Sequence, residues 1–270
     1  MIADPGHSIF TADYDQIELR VIGALANEPT LINAAKAGIS LHLATANRMF
    51  GEDHTPDEYK KSKNIGFTFA FGGSAWTMTE RYGIPYGEAK KLVEDYKATL
   101  PNLAKFAKTQ QELVLRNALN PAEYKQYKRL LSKMFEFRGD TDAGKNARKI
   151  VQAEIKRLCR GKVARIHNEF GRPLIVDAEK PYTVVNYKVQ SVAADIFKRG
   201  FLRLMDDPEL EPTVLLLVHD EALGQAPKKR AEYFAQRYGE VMSTEFLGVP
   251  ITASGKVYGP SWGHGYRKEA

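Results

Sequence analysis

Two hydrophobic spacings alternate along the chain. Residues 8–13 form a short β-prone run ending in the carboxylate of Asp13, after which Ile17, Leu19, Val21, Ile22 and Leu25 pass from strand to helical spacing. Ser40 has the chemistry of an N-cap for a helix through Met49, closed by Gly51. A further helix spans residues 56–72, with Lys60, Lys61 and Lys63 early and Phe67, Phe69 and Phe71 late, so charge and rings separate along its length. Pro85 in a first turn predicts a helix to about Leu100, and Pro101 opens another to about Ala118. After the break at Pro121, the chain to Gly161 is helical and basic: Lys145, Arg148, Lys149, Lys156, Arg157 and Arg160 oppose Ala147, Val151, Ile155 and Leu158. Residues 174–176 read as a strand, and 189–205 as a helix with Val192, Ile196, Phe197 and Phe201 inward. The apolar run 213–218 leads into His219, Asp220 and Glu221, with 222–225 as its hairpin partner. A helix over 228–246 and closing strands at 249–252, 255–257 and around Trp262 complete the pattern. Strands and helices mix without a regular βαβ alternation or a fixed-period repeat, so the predicted class is α+β.

Composition narrows the picture. A chain of 270 residues buries roughly three quarters of its unfolded surface and needs no staples. Hydrophobic residues at 43% and charged ones at 27% exclude a disordered or collagen-like chain. No apolar run approaches the ~18 residues of a membrane span, and Asp4, Pro5 and Gly6 stand where a signal peptide needs an apolar stretch, so the expected location is cytoplasmic, that of the host if the chain is viral. The single cysteine, Cys159, excludes an internal disulfide and any Cys-rich zinc motif. The net charge of +6 suggests a polyanionic partner, and its excess is concentrated between residues 121 and 162.

The candidate chemistry begins with two carboxylates. Asp13 and Asp220 each end an apolar strand, more than two hundred residues apart. Two Asp side chains meeting at strand tips could hold a pair of divalent ions of the kind that clamp a phosphoryl transfer. An Asp in that setting also serves as a turn former or helix cap, and spacing alone leaves both readings open. Lys63, Phe67 and Phe71 recur at i, i+4 and i+8, which suits a triphosphate followed by a stacked base. A solvated Lys-rich start with a buried Phe-rich end fits the same spacing. His219 could bind a metal, carry a proton or only make hydrogen bonds.

Taken together, the segments resemble the polymerase domain of family A DNA polymerases, the bacterial polymerase I group and its phage relatives. The family's first motif stands here as Asp13, Tyr14, Asp15, Gln16, Ile17, Glu18, Leu19, Arg20, and its second as Lys63 followed by Phe71-Gly72. A segment like Asn-x-x-x-Gln-x-x-Ala-Ala-Asp runs from Asn186 through Gln190 to Asp195, and the last motif is Val218, His219, Asp220, Glu221. The resemblance implies a palm over residues 1–50 and 163–270, fingers over 51–120 and a basic helical insertion over 121–162. It implies that Asp13, Asp220 and the Tyr14 carbonyl carry two Mg²⁺ ions, with Mn²⁺ able to substitute, and that Lys63 faces the triphosphate and protonates the leaving group. Gln16, Ile17, Glu18, Lys60, Phe67 and Phe71 complete the nucleotide site, Glu18 as the steric gate that selects dNTP. Arg172, Asn186, Gln190, His219 and Glu221 fall on primer-template DNA.

The sequence also departs from the family pattern. Tyr59 and Tyr182 replace family arginines, Lys60 being the candidate substitute for the first, although a lysine lacks the guanidinium fork. Asp15 stands where Ser is usual, adding negative charge near the metal site. Only twelve residues precede Asp13, so thumb and 3′–5′ exonuclease are expected from a second polypeptide, or the chain is a truncated piece. The alternatives to a DNA-templated DNA polymerase are a single-subunit RNA polymerase-like enzyme and a non-catalytic, polymerase-derived DNA-binding module.

Overall fold

The computed structural model describes residues 1–70, 74–136 and 142–266, without the side chains of Phe67, Phe69, Ala70, Phe135, Asp142 and Tyr266. In chain order the elements are β1 (His7–Tyr14), α1 (Ile17–Ala26), α2 (Pro29–Lys36), α3 (Leu41–Phe50), α4 (Pro56–Ala70), α5 (Ala75–Tyr82), α6 (Tyr86–Thr99), α7 (Pro101–Ala118), α8 (Pro121–Glu136) and α9 (Asp142–Cys159). There follow β2 (Val163–His167), β3 (Pro173–Asp177), α10 (Thr183–Asp206), β4 (Val214–Val218), β5 (Glu221–Pro227), α11 (Ala231–Met242), β6 (Thr244–Phe246), β7 (Val249–Ile251) and β8 (Ala253–Gly259). The α+β class holds. An antiparallel sheet of order β4-β5-β1-β8 is joined by two small hairpins, β2-β3 and β6-β7.

β1 lies inside the sheet, so its side chains are buried on both faces except at Asp13 and, partly, at His7. Its neighbours come from the far end of the chain: Asp13 pairs with Glu221 on β5 and with Ser254 on β8. α11 packs across β1 and β8 at a distance only glycine permits. A Cβ on Gly255 would stand 2.0 Å from the Ala235 carbonyl oxygen, and one on Gly239 would stand 2.7 Å from that of Ala253. Phe10 fills the gap beside this contact, edge-on to Tyr238 with ring centroids 4.8 Å apart.

α10, at 24 residues, contacts α1, α7, α11 and β3 and ties the two halves of the chain together. Arg203 on its last turns donates to the carbonyls of Val241 and Met242 at 2.8 Å each, and the Tyr14 hydroxyl donates to Met242 at 2.7 Å, so the C-terminus of α11 is capped. On the helical side, the buried Glu28 carboxylate accepts from Thr30 N–H at the start of α2 and from Asn102 N–H at the start of α7. One anion thereby satisfies two helix N-termini. α8 and α9 pair with each other and share a small separate core: Leu115, Leu119, Cys159 and Ala178, flanked by Tyr124, Tyr127 and Ile155.

Four local expectations are corrected. The helix expected to continue to residue 246 stops at Met242, where Ser243 turns its hydroxyl back to the Gly239 carbonyl, and residues 244–246 pair with β7 as a strand. Trp262 opens a short 3₁₀ turn over Trp262–Tyr266 and not a strand. α10 starts at Thr183, six residues before the expected start. Pro85 lies just outside α6 as its N-cap. The helices α2 and α5 and the strand β2 were not expected at all.

Candidate active site

The sheet brings the two distant carboxylates together. Asp13 is the penultimate residue of β1, and Asp220 sits in the two-residue turn between β4 and β5, with its neighbour His219 in the left-handed region at φ 55°. The register that pairs Asp13 with Glu221, and the bond from Tyr14 N–H to the Asp220 carbonyl, 3.4 Å, set the turn against the end of β1. Partial desolvation at the sheet end raises the Asp13 carboxyl to about 6, and the charges of Asp220 and Glu221 push the same way against the Tyr14 amide. Burial and Glu221 raise Asp220 as well, with His219 opposing. Two carboxylates that destabilise each other's charge form a site that a cation relieves.

Glu18, the second residue of α1, stands at the same place. Burial and the Asp220 charge raise its carboxyl, while a hydrogen bond from Gln190 of α10 and the nearby His219 lower it. Asp13, Glu18, Gln190, His219 and Asp220 therefore converge from β1, α1, α10 and the β4–β5 turn. Four residues before Gln190, and so on the same side of α10, Asn186 holds a buried side-chain oxygen with no hydrogen-bond partner.

Other expected residues are engaged elsewhere. Gln16, left-handed at φ 54°, accepts from Leu41 N–H at 3.0 Å and donates to the Ser40 hydroxyl at 3.2 Å, locking α1 to the start of α3. Ile17 is core. Glu221 is buried and accepts from Thr11 at 2.6 Å and Tyr258 at 3.3 Å, so its carboxylate belongs to the sheet interior. Arg172 grips both carboxylate oxygens of Asp195 through the Nε and Nη2 edge of its guanidinium. Asp15, expected to add charge at the carboxylate pair, accepts from the hydroxyls of Thr252 and Ser254 at 2.8 and 2.9 Å, which turns it toward β8. It contributes only the smallest influence on Asp13.

On α4, Lys60 and Lys63 are exposed, whereas Lys61 bridges Asp57 and Glu88. Lys63 lies close enough to the buried His42 to help burial drive that imidazole down to about 4. Tyr59 stacks on His54 with ring centroids 5.9 Å apart. Phe71 lies outside the described residues, as does the Phe67 side chain.

The support behind Gln190 was not anticipated. Asn168 accepts from the N–H groups of Phe170 and Arg172 and donates to Asp195, fastening the β2–β3 turn to α10. The signal was present as Asn168 and Gly171, turn formers between two short apolar runs.

Among the described residues, no group of three or more His, Cys, Asp or Glu could hold a metal by itself. The donor set at Asp13 and Asp220 nevertheless fits Mg²⁺, which prefers one or two carboxylates completed by water and substrate phosphate over an all-protein cage.

Comparison with known proteins gives the following. The profile of DNA polymerase family A matches residues 1–264. The DNA polymerase of Mycobacterium phage D29 is 29% identical over 267 residues, covering 98% of this chain and 36% of the phage protein. DNA polymerase I of Geobacillus stearothermophilus is 28% identical over 268 residues, covering 96% and 26%. The chain thus spans about a quarter to a third of these curated relatives. Among solved structures, the POL domain of Pol1 from M. smegmatis, in complex with DNA primer-template and dNTP, superposes with a TM-score of 0.71 at 21% identity, covering 98% of this chain and 42% of that one.

Proposed function

Since the chain belongs to DNA polymerase family A, we propose that it carries the nucleotide-adding site of a DNA-templated DNA polymerase, residues 1–50 and 163–270 forming the palm and 51–120 the fingers. The observation that supports this reading is the meeting of Asp13 and Asp220, with Glu18 and Gln190 joined beside them.

Asp13 and Asp220, with the Tyr14 carbonyl, would hold two divalent ions. When bound, such ions lower the pKa of a primer 3′-hydroxyl and neutralise the departing pyrophosphate. The chain's own groups do the rest. Glu18, beside Gln190, would pack its carboxylate against the sugar, excluding a 2′-hydroxyl. The orphaned oxygen of Asn186 gives that face of α10 an acceptor for the nascent pair, and His219, exposed on the turn, would hold the primer end. Lys63, free on α4, would meet the triphosphate and deliver the leaving group's proton, with Lys60 beside it. Phe67 and Phe71 complete the nucleotide side. A second polypeptide bearing a thumb, and possibly a 3′–5′ exonuclease, is proposed as partner; adding it should raise the number of nucleotides added per binding event.

The test is single-nucleotide addition to a labelled primer-template with Mg²⁺ and dNTP. Asp220→Ala should abolish addition and leave DNA binding intact, and Glu18→Ala should let rNTP in. Addition that survives Asp220→Ala rejects the mechanism; unchanged sugar selection rejects the role of Glu18.

A further inference from the structure

The segment from 121 to 162 carries twelve Lys or Arg against five Asp or Glu, more than the whole excess of the chain. The structure shows how this charge is laid out. On α8, Lys125, Arg129 and Lys133 recur at i, i+4 and i+8. On α9, Lys149 and Lys156 lie two turns apart, with Arg160 in the turn just past its end. All six are exposed. Lys128 and Lys162 are paired with Glu112 and Glu123. Among the described residues, Lys125, Arg129, Lys133, Lys149, Lys156, Arg157 and Arg160 enter no ion pair. The opposite faces of both helices are occupied by the small core around Cys159. The cations are therefore presented outward by packing and are not neutralised on the molecule.

The hairpin also lies at one end of a line that leads to the carboxylates. Tyr182, at the start of α10, lines a cavity of about 630 Å³ together with Tyr127 and Met134 of α8 and Lys156 and Cys159 of α9. Tyr182, Asn186 and Gln190 follow at i, i+4 and i+8 on α10, about 12 Å from end to end, and Gln190 stands beside Glu18. A strand leaving the carboxylate site along this face reaches the hairpin within a few nucleotides.

We propose that the outer face of the α8–α9 hairpin binds the phosphate backbone of primer-template DNA, continuing the track of α10 beyond Tyr182. The inference rests on the polymerase reading above. An ordinary solvated face intersperses charges of both signs, whereas this one is a run of one sign. A protein interface is depleted of lysine at its centre, whereas a nucleic-acid interface is rich in it. Lys149, Lys156 and Arg160 extend over about 16 Å of helix, matching about five nucleotides at ~3.4 Å each.

The test measures equilibrium binding of the full 270-residue chain to a fluorescent primer-template, with no nucleotide present, across 50–200 mM KCl. A single strand of the same length forms a second arm. The triple variant Lys149→Gln, Lys156→Gln, Arg160→Gln is compared with Lys36→Gln, Lys228→Gln, Lys229→Gln, which removes equal charge elsewhere. The expected result is a fall of about 2–3 in the slope of log K against log salt for the hairpin variant on duplex, and less than one for the control, since each phosphate contact contributes ~0.9. If the fall appears only with the single strand, at ~0.7 per contact, the bound backbone is the template overhang. An unchanged slope in both arms, or an equal fall in the control, overturns the inference. Circular dichroism confirms that helix is retained. Because no nucleotide is added, wild-type chain that shows this salt behaviour but fails to extend a primer would sink the polymerase reading and leave the DNA surface standing.

Discussion

The carboxylate end of the sheet and the α8–α9 hairpin are built on opposite plans. At the sheet end, residues over two hundred positions apart meet because β1 is buried between β5 and β8, and glycines let α11 rest directly on β8. The hairpin needs only local periodicity: one apolar stripe packs into a core of four buried residues, and the other side carries unpaired charge. The sheet end fixes atoms relative to one another and tolerates the cost of like charges held together. The hairpin fixes a charge density without fixing the atoms that carry it. Positioning two acids for chemistry needs the first arrangement; holding a polyanion needs only the second.

Each prediction probes that contrast, and the largest effect belongs to the carboxylates. Asp13→Ala should lower nucleotide addition by at least about a thousandfold, the value of several kcal/mol of lost charge stabilisation. The thermal midpoint measured without divalent ions should stay or rise, because a repelling charge is gone; a clear fall would mean that Asp13 holds the sheet together. Next is Gly255→Ala, whose Cβ would drive into the Ala235 carbonyl oxygen. A loss of about 3 kcal/mol or more in urea unfolding is expected, with addition falling in parallel. An effect below 1 kcal/mol would show that α11 can lift from β8 without consequence.

A smaller effect concerns His42, buried on α3 and lowered to about 4 by burial and by Lys63. An imidazole kept neutral in the fold but free to protonate when unfolded favours the folded state above about pH 6.5. That stability is lost as pH falls toward 4. Unfolding free energy should therefore drop by about 2–3 kcal/mol over this window, and His42→Gln should flatten the drop; an unaltered pH profile would remove His42 from the account. The smallest change is Cys159→Ala in the hairpin core, about 1 kcal/mol of stability. At saturating DNA, addition should be unaffected. A loss of turnover there would show that the hairpin and the sheet end are coupled and not merely adjacent.

How legible these regions were in the sequence follows the same division. α3, α4, α7 and the β4–β5 hairpin could be read from caps, prolines and runs of apolar residues, since each is settled within about ten neighbours. The strand β2 could not, because Asn168 and Arg172 fasten its turn to Asp195 through bonds across more than twenty residues. The periodicity alone continues α11 through β6, because the helix stop depends on Ser243 folding back on Gly239 and on pairing with β7.

By itself the sequence determined the α+β class, the family motifs and the presence of one strongly basic segment, all properties of residue order and local spacing. Only the tertiary structure decided what surrounds each carboxylate. It turned Asp15 and Glu221 into internal hydrogen-bond acceptors, kept Asp13 and Asp220 side by side at the open end of the sheet, and set Gln190 beside Glu18. The physical reason is that a carboxylate's role depends on what surrounds it, its desolvation, nearby charges and donors, and here most of those surroundings arrive from distant parts of the chain.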